Sequence, residues 1–323
     1  MLHRTEDLVS AWMADEDHGR AIEEASVVVK YAAKHLFDDY EPCQFDGFHS
    51  RLDHWLNNVD TPNDQRLLYQ LIPHIFFIGR KEFDALHRSA FRHHIGTWLV
   101  ARTNIRLGDS DSEQKLRDAV ERTWFCPITD SMRINAFHHV NTIKGHEYRP
   151  DWLSMSKFGS VNRIENYINK KKIGGLVLLE DFVATGTQIA PIIKFAAGLQ
   201  SAKLPIIVVP LVICPEGVSR LEKICSNHSN VTFSPVLQLP EQAFVRPTKQ
   251  PNEPALYSKF RRLVRKTHEK VFDISSVDLR LAFGYGQTGS LIVMYSNCPD
   301  NTLPLIHRMS ATWEPLFPRS ARV

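Results

Sequence analysis

Four short, unbroken apolar runs between residues 124 and 233 limit what this chain can fold into more than any other feature. Trp124-Phe125-Cys126-Pro127-Ile128, Leu176-Val177-Leu178-Leu179 and Ile206-Ile207-Val208-Val209-Pro210-Leu211-Val212-Ile213 are three of them, and Val231-Thr232-Phe233 begins the fourth. None alternates apolar with polar residues, so none fits a strand with one face in water. Segments with apolar residues at three- and four-residue spacing separate the later runs, over 162–172, 189–198 and 218–225. Continuous apolar strands alternating with helices predict an α/β fold, with a parallel sheet covered on both faces. Ligands of such sheets sit beyond the carboxyl ends of the strands, so the chemistry is expected there.

The chain before about residue 106 has a different texture. Ile22, Ala25, Val28 or Val29, Ala32 and Leu36 recur at helical spacing, as do Leu52, Trp55 and Leu56, and then Phe83, Leu86, His87, Ala90, Phe91, Ile95 and Trp98. Thr61-Pro62-Asn63-Asp64 predicts a helix start, with Thr61 as cap and Pro62 at the first helical position. Strand signals are nearly absent. Leu107-Gly108-Asp109-Ser110-Asp111-Ser112 is a turn-rich acidic connector. A boundary there gives a helical N-terminal region over 1–108 and an α/β domain over 109–323 that ends in a hairpin and tail.

Composition excludes little. Lys and Arg number 39 against 36 Asp and Glu, a net charge of +3, too small to argue for a nucleic-acid partner by itself. The five cysteines, Cys43, Cys126, Cys214, Cys225 and Cys298, form no C-x-x-C pair and fit reduced thiols. No apolar stretch follows the charged N-terminus, so no signal peptide is expected. The most apolar window, 67–78, is broken by Pro73 and His74 and is too short for a bilayer. A cytoplasmic protein without a membrane partner is the expectation.

The second apolar run leads into the most informative string, Glu180-Asp181-Phe182-Val183-Ala184-Thr185-Gly186-Thr187-Gln188. A Thr-Gly-Thr turn before a helix offers amide N–H groups, hydroxyls and a positive helix end, which suits a phosphate. Gly186 allows close approach of the backbone. Two adjacent carboxylates at a strand end can accept hydrogen bonds from vicinal hydroxyls. A sugar phosphate would engage both halves. Thr129-Asp130-Ser131, after the first run, offers a second strand-to-helix loop rich in hydroxyls. On its own that loop is equally well a helix cap.

This string resembles the phosphoribosylpyrophosphate-binding motif of type I phosphoribosyltransferases. The resemblance implies that Glu180 and Asp181 are the catalytic pair that binds the ribose hydroxyls. It implies that Ala184, Thr185, Gly186, Thr187 and Gln188 wrap the 5′-phosphate, and that Thr129, Asp130 and Ser131 form a pyrophosphate loop. Mg²⁺ would be bridged through the ligand, with no protein-held metal. Purine-salvage members often carry Asp where Ala184 stands, so ordinary purine salvage is disfavoured. The polar stretch 141–158 is a candidate lid, with Lys144, Arg149, Lys157 and Arg163 as candidate pyrophosphate contacts.

The C-terminal order Phe283-Gly284-Tyr285-Gly286, Leu291-Ile292-Val293, Asn297-Cys298-Pro299-Asp300-Asn301-Thr302-Leu303-Pro304 and Trp313-Glu314-Pro315-Leu316-Phe317-Pro318-Arg319 is similar to phosphoribosyltransferase-like proteins of bacterial conflict systems. Some of those accompany retrons. That resemblance implies an anti-phage effector, with a reverse transcriptase–noncoding RNA complex or other defence proteins as partners. Two functions follow: an enzyme releasing pyrophosphate, or a non-catalytic module that senses a phosphoribosyl ligand or nucleotide. Intact Glu180, Asp181, Thr185, Gly186 and Thr187 argue against a vestigial pocket.

Other signals carry less. Gly284-Tyr285-Gly286-Gln287-Thr288-Gly289 matches G-x-G-x-x-G, but a strand-like segment follows it where a dinucleotide fold needs a helix, so a glycine-rich hairpin is expected. The adjacent pairs His93-His94 and His138-His139 point to different helix faces and are expected to be structural or surface residues. Arg261-Arg262-Leu263-Val264-Arg265-Lys266 is the first place to look for nucleic-acid contacts, and otherwise is a solvated helix face.

Overall fold

The computed structural model describes residues 3–43, 46–144, 161–199, 203–274 and 279–320. The chain divides into two compact units, one made of Met1–Arg80 with Glu241–Val323, the other of Lys81–Pro240. The connector at 107–112 therefore lies within the second unit, and the segments after residue 240 belong with the N-terminal helices.

The first unit is mainly helical. Thr5–Met13, Gly19–His35, Phe48–Leu56, Pro62–Leu71 and Tyr257–Phe272 are its longer helices. Thr61 caps the fourth as its sequence predicts, accepting a hydrogen bond from the Asp64 amide, with Pro62 in the first turn. A strand appears where none is expected: β1 (Phe76–Ile78) pairs in parallel with the strand Ile292–Met294. Phe37, Phe48, Phe77 and Phe317 pack ring against ring beneath it. Trp55 and Trp313 both donate their indole N–H to the Leu305 carbonyl, at 2.7 and 2.9 Å. The Trp and Phe residues of the C-terminal motif are thus core residues of this unit.

The glycine-rich segment is not a hairpin. Residues 285–287 form a single 3-10 turn, and Gly284, Gly286, Gln287 and Gly289 all have positive φ. A Cβ on Gly284 would lie 2.6 Å from the Asn301 carbonyl oxygen, and one on Gly289 would collide with the Val245 carbonyl. These glycines serve backbone against backbone, which is why the spacing mimics a dinucleotide motif without its helix.

The second unit holds the sheet. β2 (Thr123–Pro127), β3 (Gly175–Val183), β4 (Ile206–Ile213) and β5 (Val231–Phe233) lie side by side in that order, all parallel, with β6 (Leu237–Gln238) also pairing with β4. This is the α/β parallel architecture that the apolar runs predict. Every residue of β2 and β4 is buried. Helices Val161–Lys171, Ala190–Ala197 and Pro215–Ser226 contribute Ile164, Ile168, Ile193, Ala196, Leu221 and Ile224 to the core over the sheet. Pro210 sits in the middle of β4 and has no N–H to give a ladder. Opposite it the edge partner splits into β5 and β6, so the interruption falls where a donor is missing.

Helices Arg80–Ser89, Gly96–Thr103 and Ser112–Glu121 precede β2. Between the first two, Ala90–Ile95 is wound as a π-helix. Its His94 places Nδ1 2.8 Å from the Ser234 hydroxyl. None of the described helices is long and apolar enough to cross a membrane.

Candidate functional site

The site forms at the carboxyl ends of β2 and β3. β2 pairs with β3 up to Pro127 and Leu179, and the Ile128 amide still bonds the Leu179 carbonyl at 2.8 Å. Beyond that point β2 turns away as Thr129-Asp130-Ser131, while β3 continues through both acids to Val183. The sequence reading placed the acids at the strand's end, and the strand runs on past them to Val183. They are inside it, and both are buried, Glu180 at 3% exposure and Asp181 at 5%.

Two buried carboxylates need donors, and the loop after β2 supplies them. Glu180 Oε2 accepts the Thr129 amide at 2.9 Å, and Oε1 accepts the Thr129 hydroxyl at 2.6 Å. Asp181 Oδ1 accepts the Ser131 hydroxyl at 2.9 Å and the Phe182 amide at 2.7 Å. Thr129 and Ser131 also touch through their hydroxyls, at 2.7 Å. The predicted pyrophosphate loop and the predicted ribose acids are therefore brought together. Two neighbouring hydroxyls already meet the acid pair, which is the arrangement a vicinal diol would present. Asp130 points outward, exposed.

Across the end of β3 lies the Thr-Gly-Thr turn. Gly186 is buried with φ +70°, the left-handed conformation that favours glycine. The Thr185 and Thr187 hydroxyls lie 3.1 Å apart. The helix begins only at Ala190, whose amide bonds the Gly186 carbonyl. Among the described residues no acceptor meets the N–H groups of Thr185, Gly186, Thr187 and Gln188. A turn with several unmet amide donors, two hydroxyls and a helix start behind it is a cradle for an oxyanion. Ala184 is half-buried at the entrance to the turn.

A third segment shapes the site and had no signal in the motif. Gly217, in the first turn of Pro215–Ser226, lies so close to the turn that a Cβ there would be 2.7 Å from the Ala184 carbonyl oxygen. That approach brings Arg220 onto Gly186, its Cδ 3.3 Å from where a Gly186 Cβ would be. Only the glycine beside Pro215 at a helix start hinted at a close contact.

The other candidates separate. Lys144 and Arg163 are exposed. Arg149, Lys157 and most of the 141–158 lid fall outside the described residues. Among the described residues the cluster with metal-like spacing is Asp15, Asp17 and His18, in the first unit. At the site the donor set is hard oxygen: two carboxylates and two hydroxyls. Mg²⁺ is usually held by one or two carboxylates together with substrate phosphates, so these residues fit it.

A parallel α/β sheet with buried acids and an amide-lined turn at one strand end defines a phosphoribosyltransferase-like protein. The PRTase-CE family model matches residues 52–319, and the chain belongs to that family. No curated protein and no solved structure matches the chain.

Proposed function

We propose that this protein binds phosphoribosyl pyrophosphate together with Mg²⁺ and releases pyrophosphate, and that it acts as an effector in bacterial anti-phage defence. The observation that carries the binding reading is the pairing of two buried carboxylates with a turn of unmet amides at the end of one strand. The Thr185–Gln188 amides and the two threonine hydroxyls would hold the 5′-phosphate. The ribose hydroxyls would replace the Thr129 and Ser131 hydroxyls on Glu180 and Asp181, and the freed loop would turn its donors to the pyrophosphate. Mg²⁺, when bound, would neutralise the diphosphate as its charge develops. The C1–O bond then breaks, its electron pair leaves with pyrophosphate, and the oxocarbenium-like C1 takes the acceptor's lone pair. The buried acids, holding the ribose hydroxyls, would stabilise that positive carbon, which is electrostatic work rather than covalent catalysis.

Support for the defence role is the family membership and the ordered C-terminal motifs. On that reading a reverse transcriptase–noncoding RNA complex or other defence proteins are partners. Ala184 favours a second reading: no side chain at that place can handle a base proton, so the site would sense a phosphoribosyl ligand without turnover.

Phosphorus NMR of the protein with phosphoribosyl pyrophosphate and Mg²⁺ separates the two. The enzyme reading expects pyrophosphate to appear, and Asp181→Ala to abolish it. A bound ligand that stays intact selects the sensor, and absence of binding sinks both.

A further inference from the structure

We propose that Arg220 is a binding residue for the terminal phosphate and makes this site selective for a phosphate dianion. The inference rests on the phosphoribose reading of the turn and adds a contact from a different element. Arg220 sits one turn into Pro215–Ser226, and its stem lies over Gly186, with Cδ 3.3 Å and Cβ 3.7 Å from the position a Cβ would take there. Gly217 makes that approach possible, its own Cα being 3.7 Å from the same point.

The guanidinium is not committed elsewhere. Among the described residues no carboxylate pairs with Arg220, although Glu216 stands one turn before it on the same helix. Some arginines on other helices are paired, whereas Arg88, Arg92 and Arg262, like Arg220, meet no carboxylate among the described residues. Arg261 bonds Glu253 at 2.6 Å, Arg117 bonds Glu113 at 2.6 Å, and Arg20 bonds Glu24 at 3.2 Å. With its stem on Gly186, the unpaired guanidinium can reach an anion held by the four unmet amides and add donors from a second element. Backbone amides alone accept a monoanion or a carboxylate nearly as well. A planar guanidinium adds bidentate geometry and a full charge, which favours the doubly ionised phosphate.

The test is calorimetric titration of the full chain with ribose 5-phosphate, with ribose as control, for wild type, Arg220→Met and Arg220→Lys. Arg220 is exposed, so its removal should leave the thermal melt unchanged. Loss of one charge-assisted contact is expected to weaken ribose 5-phosphate about tenfold in Arg220→Met, with Arg220→Lys in between. A second readout is pH. Wild-type affinity should fall as the phosphate dianion takes up a proton near pH ~6, and Arg220→Met should show a flatter profile. Equal affinities and equal pH profiles in wild type and Arg220→Met, with wild type binding, overturn the Arg220 inference and leave the phosphoribose reading standing. No binding of ribose 5-phosphate by wild type overturns that reading and this inference with it.

Discussion

At the scale of single residues, three glycines carry much of the account. Gly186 holds a left-handed turn against the Arg220 stem. Gly217 admits a helix to within contact of the Ala184 carbonyl. Gly289 lies against the Val245 carbonyl in the other unit. Only the first was legible as functional, because Thr-Gly-Thr after two acids has a known use, whereas a lone glycine shows its neighbour only after folding. The Gly186→Val variant tests the turn directly. A β-branched residue at φ +70° is strained by about 1–3 kcal/mol, and its branch fills the cradle. Binding of phosphoribosyl pyrophosphate should drop at least about tenfold in a titration, while the far-ultraviolet circular dichroism keeps its shape. Unchanged affinity would remove the turn from the binding site.

Elements divide by how local their cause is. β2, β4 and β5 fall where their apolar runs lie, because a strand buried on both faces needs no partner to be recognised. β3 runs further than its apolar run indicates. Its two acids remain in the strand because Thr129 and Ser131, some fifty positions earlier, supply their donors. β1 was invisible in the sequence: three residues pair with Ile292–Met294, and nothing local announces a partner so distant. The segment 284–289 misleads in the opposite direction, since its spacing copies a nucleotide motif while its glycines satisfy steric limits. Gly289→Ala should therefore destabilise the protein by more than about 2 kcal/mol through overpacking and a strained φ, measured by urea denaturation. A fully stable variant would mean that the close approach to Val245 is not real. The basic stretch of helix Tyr257–Phe272 is likewise mostly committed. Arg261 is paired with Glu253, Arg265 bonds the Pro247 carbonyl, and Lys266 meets Asp64 at 2.5 Å. Among the described residues that leaves Arg262 as the exposed cation of the four with no partner.

For the molecule as a whole, the order of the chain hides its organisation. The first unit is assembled from both ends of the sequence, and the second is the stretch between them. A boundary sought in composition finds the acidic connector at 107–112, because turn residues mark loops whether or not a unit ends there. What the sequence did hold was the candidate site: Thr129, Ser131, Glu180, Asp181 and the Thr185–Gln188 turn lie at the end of one parallel sheet. Hydrogen–deuterium exchange, with and without phosphoribosyl pyrophosphate and Mg²⁺, tests whether that end is where ligand binds. The account predicts slowed exchange concentrated in peptides covering 127–132 and 181–190. Slowing confined to other peptides, with those two unchanged at saturating ligand, would contradict it.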